Sequence, residues 1–314
     1  MPHITFIHGM VNKPPAEELL NIWKRALAAD SGINLSTRGI TSSMVYWADV
    51  LYEKPAEEKD SHESIGFEAV VEDSDDNLEW STELTGEQAK FVKRISEKLN
   101  FEIPSPEGDD FEPAPTGEEG FELIPLPWFI KRRLMKALLR DVHHYLFNVE
   151  HSPRPGEVYR VRDEIRKRLI DTLRNDSEKN QGKGPHILIS HSMGTVIAYD
   201  CLKRVPECPE IDAFMTIGSP LGIDEIQDKL KPEWSRENGF PENKVKGSWA
   251  NIYDRLDPVA LDPILANDFK QSGNEIILDK RQSNEGRWKH SIQKYLIKDE
   301  LRNILDKQLK ENLL

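Results

Sequence analysis

The chain has 314 residues, with 42 Lys+Arg against 55 Asp+Glu and a net charge of −13 at pH 7. That balance supplies no broadly basic surface and argues against a nucleic-acid partner. Two cysteines, Cys201 and Cys208, exclude a disulfide scaffold and read as buried thiols in a reducing compartment. No apolar run approaches the roughly 18 residues of a transmembrane helix, and no basic segment precedes the short apolar stretch at the start, so a soluble, cytoplasmic protein is expected.

Residues 3–8 (HITFIH) read as a strand closed by Gly9. Pro15 to Ala29 follows as an amphipathic helix, with Leu19, Leu20, Ile22, Trp23 and Leu27 apolar and Pro15 near its start. Ser43 to Tyr52 has strand character. From Glu53 to Glu122 the composition changes: 22 acidic residues face 6 basic ones, a balance of −16, with prolines at 104, 106, 113 and 115. This 53–122 stretch reads as a solvated, partly disordered acidic insertion, with helical periodicity confined to Gly86–Phe101.

Residues 123–150 contrast with it. Lys131, Arg132, Arg133, Lys136 and Arg140 precede the first acid, Asp141, while Trp128, Leu134, Met135, Leu138, Leu139 and Val142 recur at helical spacing. Such a basic amphipathic helix can cap a cleft with its apolar side, the preferred reading. It can also touch an anionic membrane surface peripherally through 128–140. Asp141, His143 and His144 are assigned to the helix surface, because no second ligand cluster or H-E-x-x-H pattern accompanies them. No metal or cofactor is expected.

Beyond the insertion, helical patterns at 158–173 and 195–205 alternate with strand-like runs at 186–190, 212–218, 249–254 and 275–279. A last helical segment from Ile292 carries Ile292, Leu296, Ile304 and Leu305 on one face. Repeated βα units predict an α/β fold, a mostly parallel sheet with helices on both faces. One domain over 1–314, interrupted by the insertion, fits better than two.

The strongest local signal is ILISHSMGTVIAYD, residues 187–200, in which a buried strand meets a helix at Ser190-His191-Ser192-Met193-Gly194. It resembles the nucleophile elbow of the α/β-hydrolase family, G-x-S-x-G, where a strained turn demands small residues two before and two after the nucleophile. Gly194 meets the second requirement; Ser190 departs from the first but is still small. Ser192 is therefore the candidate nucleophile, since Ser190 would place Ser192 in the crowded second position.

The resemblance implies the order nucleophile, acid, histidine. Of nine histidines only His290 lies beyond the elbow, after the last strand-like run. The acid would leave the preceding strand, where Asp257 heads a D-x-x-V loop and Asp254 is the alternative; a calcium loop from Asp254, Asp257 and Asp262 fits no known spacing. Backbone N–H groups of Met193 and of Met10, in the His8-Gly9-Met10 turn, would form the oxyanion hole. TIGSPLG (216–222) resembles lipase and serine-esterase members. The resemblance covers 1–52 and about 155–314, and the chain lacks the family's two leading antiparallel strands. It implies a serine hydrolase acting on a small-molecule or lipid ester; a non-catalytic binding module on the same fold is the alternative.

Overall fold

The computed structural model describes residues 1–56, 84, 86–98, 136, 139–180, 182–286 and 288–311. Its centre is a six-stranded sheet in the order β2-β1-β5-β6-β7-β8, formed by β1 (His3–Ile7), β2 (Thr41–Val45), β5 (His186–His191), β6 (Ala213–Ile217), β7 (Trp249–Tyr253) and β8 (Leu278–Arg281). Every pairing in it is parallel. A separate two-stranded ribbon joins β3 (Glu150–His151) and β4 (Tyr159–Arg160).

The two faces of the sheet are read out by alternate residues, as the period of two requires. Ile4, Phe6, Ile187, Ile189, Met215 and Ile217 enter one apolar layer, together with α1 (Ala16–Ala28), α8 (Ile292–Leu296) and α9 (Asp299–Glu311). Ile7, Leu188 and Phe214 enter the other, larger layer. There they meet α2 (Ala48–Leu51), α3 (Gly86–Lys98), a helical stretch at 139–146 (α4), α5 (Val161–Asn180), α6 (Met193–Arg204) and α7 (Asp224–Lys229). Helices thus cover both faces of a parallel sheet, as the βα alternation predicts.

Four local expectations need correction. The strand expected to reach Tyr52 stops at Val45, because Trp47 turns away from the ladder: its N–H donates to His8 Nε2 at 2.9 Å and its indole N–H to His8 O at 3.0 Å. The last strand begins at Leu278 rather than 275, where Asp279 is anchored by the N–H groups of Leu265 and Ala266. The acidic stretch is not solvated throughout, since α3 buries Phe91, Val92 and Ile95 in the larger layer and Lys98 pairs with Asp224 and Glu225 of α7. Asp141, His143 and His144 lie inside the protein rather than on a helix surface, beside the buried Leu139, Val142 and Tyr145. Residues 128–135, with Trp128, Phe129 and Leu134 of the expected cap, and Leu138 lie outside the described residues, as does most of 53–122.

Candidate active site

The sheet order reverses between β1 and β5: the chain moves outward from β1 to β2 and returns to β5 on the other side. A crevice at the carboxyl ends of strands where the order reverses is the usual ligand position in such sheets. Gly9 follows β1 and Ser192 follows β5 at this point. The approach is so close that a Cβ on Gly9 would lie 2.5 Å from Ser192 Cβ, and one on Gly194 would lie 2.5 Å from His8 O. Only glycine fits at either place.

Ser192 occupies a strained turn. Its backbone has φ 55° and ψ −130°, it caps α6, and its N–H donates to Ile217 O at 2.9 Å. Positive φ at a non-glycine residue costs on the order of 1–3 kcal/mol and persists only where the surroundings enforce it. Its Oγ is buried and has no hydrogen-bond partner among the described residues. Met193 opens α6, so its N–H has no intrahelical acceptor and faces the same turn.

His290 arrives from the loop between β8 and α8. Its Nδ1 lies 2.8 Å from both carboxylate oxygens of Asp257, and both side chains are fully buried. A Cβ on Gly218, next to the carbonyl that binds Ser192 N–H, would fall 2.7 Å from Asp257 Oδ2 and 3.2 Å from His290 Cε1. His191, adjacent to Ser192, stacks on His290 with ring centroids 4.6 Å apart and donates from Nε2 to His290 O at 3.0 Å. The three residues expected to react are thus gathered at one edge of the sheet.

Asp257 accepts two further donors, the Val259 N–H at 2.9 Å and the Tyr295 hydroxyl at 2.8 Å. Burial alone would push its carboxyl up, but the facing His290 and these hydrogen bonds hold it below the ordinary carboxylate value. Asp254, the alternative acid, is occupied elsewhere: its oxygens accept the N–H groups of Leu256 at 2.8 Å and Asn284 at 2.7 Å. Its own N–H donates to Tyr295 Oη at 2.9 Å. Asp257, not Asp254, holds the histidine.

The loop after β1 is braced from several sides. His8 Nε2 accepts from Trp47 N–H, so the ring is the neutral Nδ1–H tautomer, which donates to Gly9 O at 2.8 Å. Val11 has φ 67°, an outlier for a β-branched residue. Sequence reading missed Tyr295, His191 and the side chains that grip this loop. Of these, Asp141 was assigned to a helix surface, whereas it is buried.

A second buried cluster lies at the opposite edge of the sheet. His3, Asp176 and His186 offer ligand atoms within 4.8 Å of one another, the one such group among the described residues. Asp176 Oδ2 already accepts Thr5 Oγ1 at 2.8 Å and Ser43 Oγ at 2.5 Å and lies 3.0 Å from His3 Nε2, while Thr5 Oγ1 spans the gap to His186 Nε2 at 2.8 Å. Threonine and serine hydroxyls fill the positions a cation would need, so the cluster reads as a hydrogen-bonded network.

No family model and no curated protein matches the chain. Among solved structures it shows a likeness to an uncharacterized protein from Pseudomonas aeruginosa, with 11% identity and a TM-score of 0.31 over 90% of this chain and 40% of the other. The chain therefore spans less than half the length of that protein.

Proposed function

We propose that the protein is a serine hydrolase of the α/β-hydrolase type that cleaves a carboxylic ester of a small molecule or lipid. The observation that carries the reading is the conjunction, at one switch point, of a strained serine whose buried Oγ lacks a hydrogen-bond partner among the described residues and a buried His290–Asp257 pair. A binding module has no need of that strain beside that pair.

In the proposed reaction His290 Nε2 takes the Ser192 Oγ proton as the oxygen attacks the ester carbonyl carbon. The resulting oxyanion receives the N–H groups of Met10 and Met193, each donor contributing about 3–4 kcal/mol to barrier lowering. His290 then delivers the proton to the departing alkoxide, leaving an acyl group on Ser192; water repeats the sequence and releases the acid. Asp257 keeps Nδ1 protonated and stabilises the imidazolium. Ser192 and His290 are closed to solvent in this conformation, so substrate enters through an opening step, and the Ser192–His290 hydrogen bond forms in the complex. A fluorophosphonate probe tests the reading: labelling of Ser192, lost in Ser192→Ala, supports it, and an unlabelled Ser192 in folded protein leaves the binding module.

A further inference from the structure

The Met10–Val11 peptide is held at both ends by buried charge. Its carbonyl, Met10 O, accepts the Lys13 ammonium, which also donates to Val11 O at 3.1 Å. Its N–H, on Val11, donates to Asp141 Oδ2 at 2.8 Å. Neither side chain faces water: Lys13 is 0% and Asp141 1% exposed. Asp141 is in turn fixed by Arg140 at 3.1 Å and by the Tyr52 hydroxyl at 3.3 Å, with the Arg140 guanidinium 4.5 Å above the Tyr52 ring.

A peptide unit is a rigid plane. Gripping its oxygen and its nitrogen fixes the torsions on either side, here the ψ of Met10 and the positive φ of Val11. With that plane fixed, ψ of Met10 sets where the Met10 nitrogen and its N–H lie, and the positive φ of Val11 sets the path of the chain beyond. Burying a lysine and an aspartate costs folding free energy unless each is matched, and here both spend hydrogen bonds on one backbone unit beside the nucleophile. On the proposed hydrolase reading, we infer that Lys13 and Asp141 are positioning residues that aim the Met10 N–H at the developing oxyanion. Asp141 extends this role to α4, which makes the chain following the acidic insertion part of the catalytic support.

The experiment compares Asp141→Ala, Asp141→Asn and the double variant Val11→Gly/Asp141→Ala in the full chain. Readouts are p-nitrophenyl butyrate hydrolysis, thermal midpoint and amide exchange of the 8–13 segment. Asp141→Ala is expected to lower kcat about tenfold or more, part of the loss seen when an oxyanion donor is removed, with KM within about threefold. Asp141→Asn keeps an acceptor for Val11 N–H and is expected to retain most of kcat and most of the exchange protection. Glycine tolerates positive φ, so the double variant is expected to regain stability without regaining kcat. Recovery of kcat by the double variant, or equal loss in the Ala and Asn variants, would overturn the assignment. Absence of Ser192-dependent activity in the wild-type protein refutes the hydrolase reading instead; loop protection that survives Asp141→Ala then refutes the clamp.

Discussion

Each end of the sheet buries a histidine against a carboxylate. At the amino edge His3 Nε2 lies 3.0 Å from Asp176, and at the carboxyl edge His290 Nδ1 lies 2.8 Å from Asp257. By burial and pairing the two are alike; their surroundings differ. Around Asp176 the donors are spent on one another, with His186 Nδ1 the exception, and the backbone of β1, β2 and β5 is regular. Around His290 a serine hydroxyl is left over, and Ser192 and Val11 both hold positive φ. Buried polarity alone does not mark a site. What sets the carboxyl edge apart is unspent hydrogen-bonding capacity beside enforced strain.

The comparison breaks first on rates. Ser192→Ala and His290→Ala are each expected to lower kcat by about 10⁴-fold or more, and the double variant by no more than either, because the two act as a unit. Multiplicative losses measured on any p-nitrophenyl ester would refute the shared mechanism. Asp257→Asn is expected to cost up to about 10⁴-fold in kcat through the wrong tautomer, and Asp254→Asn far less; the reverse ranking would transfer the acid role. At the other edge the pattern inverts. Asp176→Ala strands the His3, Thr5 and Ser43 donors and is expected to cost about 3–5 kcal/mol in urea unfolding, with kcat of the folded fraction unchanged.

Two smaller effects sharpen the contrast. Tyr295→Phe removes the hydrogen bond to Asp257 and the acceptor of the Asp254 N–H; loss of the first is expected to cost about 1–2 kcal/mol, hence several-fold in kcat/KM. Because that bond favours the charged carboxylate, its loss raises the Asp257 pKa and leaves a more basic partner for the imidazolium, so on the proposed mechanism the acid limb of the pH–rate profile, which the general base sets, moves upward. An unmoved limb would limit Tyr295 to packing. The last effect is on stability. Burial depresses His186 and His143 to about 4, and His144 to about 3, from an unfolded value near 6.5. Between pH 6.5 and 4 the unfolded chain therefore binds protons that the native state refuses. Stability is expected to fall with pH across that window, by up to about 1.4 kcal/mol per unit for each such proton. A urea midpoint constant from pH 7 to 4.5 would contradict their burial as neutral rings.

Most strands were legible because continuous apolar runs such as 186–190 suit a strand covered on both faces, and Gly9 and Gly194 mark where backbones must touch. Ser192 and His290 were singled out because one sits in a motif and the other is alone in its stretch, and the structure brings both to the carboxyl edge of the sheet. Asp257 was preferred to Asp254 on its resemblance to a D-x-x-V loop; both follow β7, and the path of the 254–257 turn decides which carboxylate reaches the ring. Lys13, Asp141 and Tyr295 were illegible for a deeper reason. Asp141 and Tyr295 bind groups 130 and 38 positions away, and Lys13 folds back on the carbonyls of Met10 and Val11; no side-chain pattern encodes such pairings. The helical periodicity of α3 was legible at 86–101, but its acidic setting hid that Phe91, Val92 and Ile95 form a buried face.

The central pairing of β1 with β5 joins His3 to His186 and Ile7 to Ser190. β1 must wait for a strand made much later in the chain, with β2 beside it meanwhile. Parallel pairing over such a separation is entropically slow to nucleate. The same event carries Gly9 against Ser192, so the proposed oxyanion loop and the proposed nucleophile meet only when this long-range contact closes. On the proposed hydrolase reading a nascent or partly folded chain is chemically silent, and the appearance of turnover during refolding is expected to time the docking of β1 onto β5.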